Sequence, residues 1–279
     1  MTEPFFHLVD GDDRADGGVV RVEATGSTAG PWFPDAQHMG PPSALLVRFL
    51  ERHGQPRPGG PAADPPMRLA RLTVEVLGRV PLGGMEVETV VERAGRTIEL
   101  VGAELRAGGR AVARAHGWRL AVTDTAAAAT APGPSMPPPE QGHDHARPPG
   151  WLPGYLDALE WRWISGALEE LGPGRVWARL RVPVVVDADG VPEEPTGWQR
   201  LAAVADSTNG AAARQDVSRW LFVNTDLTLH LHRAPVGEWI GLDADSVLGP
   251  DGAGTAFSVL HDREGPVGRA AQALTIRPR

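Results

Sequence analysis

The 279-residue chain has no cysteine. Disulfides, thiolate metal sites and a cysteine nucleophile are therefore excluded. It has no lysine either, so all 27 basic residues are arginine, and Schiff-base and P-loop lysine chemistry drop out. Negative charge outweighs positive, with a formal net charge of -8, which disfavours a nucleic acid or an anionic membrane as the main partner. No stretch reaches the roughly eighteen apolar residues of a membrane span, and the opening "MTEPFFHLVDGDDR" has neither a basic nor an apolar leader region. A cytoplasmic protein that spans no membrane is the expectation. There is no G-x-S-x-G elbow and no G-x-G-x-x-G opening a βαβ unit, so covalent serine catalysis and dinucleotide binding have no support.

What is present is a hydrophobic content of 42%, enough to bury a large core without staples. Residues 123–150 are dense in Ala, Pro and Gly and read as a mobile linker. They separate an N-terminal unit, residues 1–122, from a C-terminal unit, residues 151–279. The two resemble each other at one offset of 155: Leu72-Thr73 falls on Leu227-Thr228, Leu105 on Leu260, and Arg114-Ala115 on Arg269-Ala270. An internal duplication follows.

Each half reads as a first strand, a helix and a run of long strands. In the first half the strands are expected at residues 18–25, 67–80, 85–92, 96–106 and 110–122, with hairpin turns at "RAGR" and "RAGGR". The helix after "QHMGPP" is apolar around most of its circumference, so a sheet must wrap around it rather than lie on one side. The fold class is therefore α+β, a hot-dog arrangement made twice.

The helix starts carry the first candidate site. Pro41 and Pro42 suit a first helical turn, which leaves the amides of Met39, Gly40 and Ser43 as expected free donors at the positive end of the helix dipole. His38 beside them is a candidate cap, general base or substrate donor. In "GWQRLAAVADSTNGAAAR" small apolar residues run into Asp206, a carboxylate on an otherwise buried helix. Asn209-Gly210 reads as a left-handed helix cap. On the last strand Gln272 shares a face with Ala270, Leu274 and Ile276, and its counterpart in the first half is Gly117. That amide either satisfies a backbone irregularity or serves the site.

The stretch "LFVNTDLTLHLHRAPVG" places Asn224, Asp226, Thr228, His230 and His232 on one strand face. Asp226, His230 and His232 are acceptable metal ligands, but same-face neighbours sit about 7 Å apart and a compact site draws a ligand from another element. A wet face is the preferred reading, with Asn224 turning inward. His143, Asp144 and His145 read as an incidental solvated cluster in the linker. Of the nine tryptophans, among them Trp32, Trp151, Trp161, Trp163, Trp198 and Trp239, some could line a tunnel, although core packing is the commoner use.

Taken together, "QHMGPPSALLVRFLE", "AVADSTNG", "NTDLTLHLHRAPVGEWIGLDADS" and "GRAAQALTIRPR", in this order and spacing, resemble the acyl-CoA thioesterase II family of double hot-dog proteins. The resemblance covers both halves. It implies an Asp, Thr and Gln catalytic set falling on Asp206, Asn224 and Gln272, with Asn224 replacing the family's hydroxyl by an amide. It further implies hydrolysis of a fatty or related acyl thioester, on coenzyme A or an acyl carrier, by a water held among these side chains. The amides at Gly40 would polarise the carbonyl, and no metal or organic cofactor is needed. Two amides beside Asp206 are expected to hold it ionised against the effect of burial. Two alternatives stand beside this: hydration or dehydration of an acyl thioester by His38 with Asp206, and binding of an acyl thioester or polyketide-like ligand without hydrolysis. Homo-oligomerisation through exposed sheet edges is left open.

Overall fold

A computed structural model describes residues 3–11, 18–33, 35–55, 65–144, 147–148 and 151–279. In the first half, strands β1 (Phe6–Asp10) and β2 (Val19–Ala24) precede helix α1 (Gly40–Arg52), and β3 (Met67–Val76), β4 (Gly83–Arg93), β5 (Ile98–Ala107) and β6 (Arg110–Ala121) follow it. The second half repeats the plan with β7 (Leu159–Ser165), β8 (Gly174–Leu180) and the short β9 (Val185–Val186). Helices α2 (Gly197–Ala205) and α3 (Thr208–Ala211) come next. They are followed by β10 (Trp220–Asn224), β11 (Asp226–Leu231), β12 (Ile240–Leu248), β13 (Ala253–Asp262) and β14 (Gly265–Pro278).

All the strands join one sheet, ordered β7-β8-β12-β13-β14-β11-β3-β6-β5-β4-β2-β1-β9, with β10 beside β14. The seam between the halves is the antiparallel pair β11 and β3, in which Thr228 lies opposite Thr73. Their hydroxyls are 3.2 Å apart. Because these two threonines are related by the duplication offset, the approximate twofold relating the repeats passes between them.

Helix α1 is buried along its whole length from Gly40 to Leu50, as its apolar circumference requires. Leu45, Leu46, Phe49 and Leu50 are fully buried among β3, β5 and β6 residues such as Leu72, Val101 and Leu105; each contributes on the order of 1.5–3 kcal/mol by leaving water. The two helices run antiparallel. A Cβ at Gly40 would collide with the Ala203 carbonyl near the end of α2, while Glu51 at the end of α1 accepts hydrogen bonds from Thr196 Oγ1 and Gln199 Nε2 at the start of α2. The β5–β6 connection is the tight "AGGR" turn, in which Gly108 and Gly109 both take positive φ, as a two-residue hairpin needs.

The double hot-dog expectation is met, with local differences. The strand expected to run to Val80 stops at Val76, because the backbone at Gln37 bonds the Val80 carbonyl instead. β1 escaped the pattern. It lies one strand in from the sheet edge, and its outer neighbour, the short β9, comes from the other half. The stretch 123–150 is not simply a free linker: Met136 is buried, Pro137 O accepts from Trp177 Nε1 at 2.7 Å, and His143 pairs through its backbone with Trp163. His145 of the histidine cluster lies outside the described residues.

Candidate active site

The site forms where the start of α1 meets the junction of α2 and α3. Thr196 caps α2 by accepting from Gln199 N, and the helix ends at Asp206, whose residue is 3% exposed. Asn209 and Gly210 do not form the expected left-handed cap. They lie inside α3, and Gly210 is not among the positive-φ glycines. The chain bends there without a left-handed residue because Gln272 from β14 supports the bend: its Nε2 donates to the Asp206 carbonyl at 3.1 Å and its Oε1 accepts from Asn209 N at 3.1 Å. Gln272 Nε2 is also 3.4 Å from Asp206 Oδ1. Both readings of this glutamine are thus present in the geometry, and the backbone role has the shorter contacts.

Asn224 reaches the same carboxylate. Its Nδ2 donates to Asp206 Oδ1 at 2.9 Å and to the Asp226 carbonyl at 3.1 Å. Two acceptors on one side fix which end of the amide is nitrogen. The local cause is a break at Thr225, which separates β10 from β11 so that the run is two strands rather than one. On β11 the expected alternation holds: Leu227, Leu229 and Leu231 are buried and His230 is exposed. Asp226 Oδ1 accepts from Ala273 N at 2.7 Å, and exposed His232 lies beyond the strand's end. Among the described residues, Asp226, His230 and His232 do not form a metal-holding group.

His38 closes the site from the α1 side. Its ring stacks on Tyr155 with centroids 3.8 Å apart and planes 7° apart. Its Nδ1 accepts from Gly40 N at 3.0 Å and lies 3.2 Å from Asp206 Oδ2. The chain's single tyrosine is held in turn by its hydroxyl, which donates to Ala203 O and is 2.8 Å from Ser207 Oγ. Tyr155 was not singled out by the sequence, since a lone tyrosine after a Pro/Gly-rich stretch carries no periodic signal.

The expected set of free amides needs correction. Ser43 N donates to Met39 O at 2.9 Å, an ordinary helical bond, and Gly40 N is engaged by His38. Only Met39 of the three keeps an amide without a partner among the described residues. Gly40 is nonetheless required, because any side chain there would strike Ala203 O.

Electrostatics also departs from expectation. Burial pushes the Asp206 carboxyl up to about 7, and the hydrogen bonds from Asn224, Gln272 and Gly40 only partly oppose it. The two amides therefore do not suffice to keep it fully ionised at neutral pH. Burial likewise pushes His38 down to about 3, so this histidine is neutral, and the 3.2 Å contact is not an ion pair. With the single lone pair of Nδ1 taken by Gly40 N, the approach of Asp206 Oδ2 is a close contact rather than a second full hydrogen bond. A carboxyl that loses its proton near neutrality is suited to proton transfer at physiological pH.

Asp206 and Asn224 lie in the wall of a cavity of about 490 Å³, together with His38, Met39, Gln37 and Asn209. Among the described residues, the opposite repeat has nothing equivalent. At the duplication offset Asp206 corresponds to Glu51, Asn224 to Leu69 and Gln272 to Gly117. A Cβ at Gly117 would already be 2.7 Å from Leu69 Cδ2, so that position is filled by packing, and Glu51 is satisfied by Thr196 and Gln199.

Fold and site define a double hot-dog protein with one polar, cavity-lining cluster. Family models agree on both halves: the acyl-CoA thioesterase N-terminal domain matches residues 28–120, and the acyl-CoA thioesterase C-terminal domain matches residues 139–276. The chain belongs to the acyl-CoA thioesterase II-like family and is a thioester hydrolase. Solved structures with the same fold include a hot-dog protein of unknown function from Alicyclobacillus acidocaldarius (14% identity, 97% of this chain and 96% of that one, TM-score 0.73). The tesB protein of Mycobacterium avium subsp. paratuberculosis is also similar (15% identity, 97% and 96% covered, TM-score 0.66). So is an acyl-CoA thioesterase II from Mycobacterium marinum (16% identity, 97% and 96% covered, TM-score 0.64). No match is found among curated proteins.

Proposed function

We propose that this protein hydrolyses acyl-CoA thioesters with Asp206 as the base that orients and deprotonates the attacking water. The observation that carries this is the buried Asp206 carboxyl in a cavity wall, with an ionisation point near neutrality and an amide on Oδ1. Asn224 contributes twice. Its nitrogen is committed to Asp206 and Asp226, which leaves its carbonyl oxygen to accept a hydrogen from the water. Gln272 is a positioning residue that holds the α2–α3 bend and therefore the direction of the carboxyl.

In the reaction the water oxygen bonds to the thioester carbon as its proton passes to Asp206, and the carbonyl oxygen takes up negative charge. The Met39 amide and the positive end of α1 face that charge; one such donor is worth roughly 3 kcal/mol of barrier. The C–S bond then breaks, the leaving thiolate takes the proton from Asp206, and the products are the carboxylic acid and free thiol. His38, neutral at working pH, keeps the Oδ2 side of Asp206 occupied.

The hydratase reading draws on the same pair, since His38 Nδ1 is 3.2 Å from Asp206 Oδ2. Free thiol measured beside the loss of absorbance from an enoyl-CoA separates the two, since hydrolysis releases thiol in step with that loss and hydration releases none. Thiol release that Asp206→Asn abolishes, with no loss of enoyl absorbance in excess of it, is expected. Binding of acyl-CoA with neither signal would leave a non-hydrolytic binding module, and full activity in Asp206→Asn would remove the base.

A further inference from the structure

A second cavity adjoins the first. It measures about 40 Å³, and its walls include Trp32, Trp151, Trp161, Trp163, Leu168 and Phe222. His38, Asn209 and Trp32 belong to the walls of both cavities, so the two meet at these side chains, and His38 is also the neighbour of Asp206 in the wall of the larger one. The larger cavity has Arg79 and Arg277 in its wall and suits a polar, phosphate-bearing arm. Of the polar groups in the smaller one, Ser207 Oγ is committed to Tyr155 and Asn209 Nδ2 to Phe222 O at 3.3 Å, while the buried Trp163 Nε1 has no partner among the described residues.

We propose that the small aromatic slot receives the acyl group, and that the preferred substrates carry short acyl chains, of about four carbons or fewer by the volume available. This rests on the thioesterase reading above. A water-sized group needs about 10–15 Å³ of such volume, so the slot takes about three or four of them, and an apolar cavity that admits benzene is about 150 Å³. The back wall has little freedom to retreat. Trp163 is 1% exposed, and its Cζ3 edge lies against the backbone at Gly174 and Gly166, where a Cβ would be 3.2 Å and 3.7 Å away. Trp161 is tied by its Nε1 to Leu156 O at 2.9 Å. A chain much longer than the slot must therefore displace anchored rings.

The test is a chain-length series from acetyl-CoA to dodecanoyl-CoA in the thiol-release assay. It is paired with S-alkyl-CoA thioethers of the same lengths, which cannot be hydrolysed, read by quenching of the tryptophan fluorescence. The expected kcat/KM is highest at two to four carbons and lower by at least about tenfold at eight, because misfit in an apolar pocket costs about tenfold or more. Ethyl and butyl thioethers should likewise bind more tightly than dodecyl. Leu168→Ala and Trp163→Ala should move the optimum to longer chains, and Ala213→Leu should confine it to acetyl; Leu168, half-buried on a loop, serves if the tryptophan variant does not fold. Preference for long chains in both series, or a profile unmoved by Leu168→Ala, overturns the inference. Short thioethers preferred without any thiol release would uphold the slot and sink the hydrolysis, while efficient release from long chains alone would do the reverse.

Discussion

Asp206→Asn should make the protein more stable at neutral and alkaline pH while disabling it. Asparagine mimics the uncharged, protonated carboxyl: its oxygen can accept from Asn224 Nδ2, which lies 2.9 Å from Asp206 Oδ1, and its nitrogen takes the Oδ2 position beside His38. The carboxyl moves from an ordinary 3.8 to about 7 on folding, with burial as the main cause. A folded-state value above the unfolded one means that the stability supplied by the protonated form is complete below about pH 4 and is lost as pH rises through about 7. Above that range the ionised carboxylate costs the fold about 4 kcal/mol, since each tenfold change in proton affinity between the unfolded and folded chain is worth about 1.4 kcal/mol. The stability gain from Asp206→Asn should accordingly grow by about 3 kcal/mol between pH 5 and pH 8. Urea unfolding of both proteins at the two pH values measures this. His38, pushed down from 6.5 to about 3 by burial, costs stability as pH falls through the unfolded value of 6.5, but it does so in both proteins and cancels in the difference between them. A gain that is equal at both pH values, or a loss at pH 8, would refute a carboxyl governed by burial.

Other consequences follow from the same contacts. Asn224→Ala removes a donor to the ionised carboxylate, so the acid limb of the rate profile should move to higher pH than in the parent. Gln272→Ala should cost about 1–3 kcal/mol of stability by orphaning Asn209 N and the Asp206 carbonyl, and should lower kcat more than it alters KM; unfolding and steady-state kinetics read the two effects. Gly40→Ala should abolish activity and destabilise the protein, because the added methyl meets Ala203 O; thermal unfolding and thiol release check this. Leu46→Ala in the middle of α1 should cost about 2–5 kcal/mol as a core cavity, measured by denaturant unfolding.

The fold was legible because its signals are periodic. Repetition at one offset, an all-round apolar helix and long alternating strands survive in sequence, and the seam threonines Thr73 and Thr228 lie on that offset. Asp206 and Gln272 stood out for a related reason, as polar residues in apolar runs. What did not show was any feature fixed by a distant partner. The bend after Asp206 looked like a left-handed cap at Asn209-Gly210, whereas Gln272, more than sixty residues away, supplies the hydrogen bonds that make such a cap unnecessary. Ser43 looked free because Pro41 and Pro42 draw attention to missing donors, yet its own amide finds Met39 O. Tyr155 beneath His38, the break at Thr225 and the aromatic slot depend on elements meeting in space. The charge state of Asp206 was likewise misjudged from its neighbours alone, since the depth of burial that outweighs the two amides is a property of the packed molecule.

The pH dependence of single-turnover thiol release tests the role of Asp206 most directly. With a base that loses its proton near neutrality, the rate should fall about tenfold per pH unit below about 7, level off above it, and be absent in Asp206→Asn at every pH. A rate that stays flat from pH 5 to pH 8, or that survives the substitution, would contradict it.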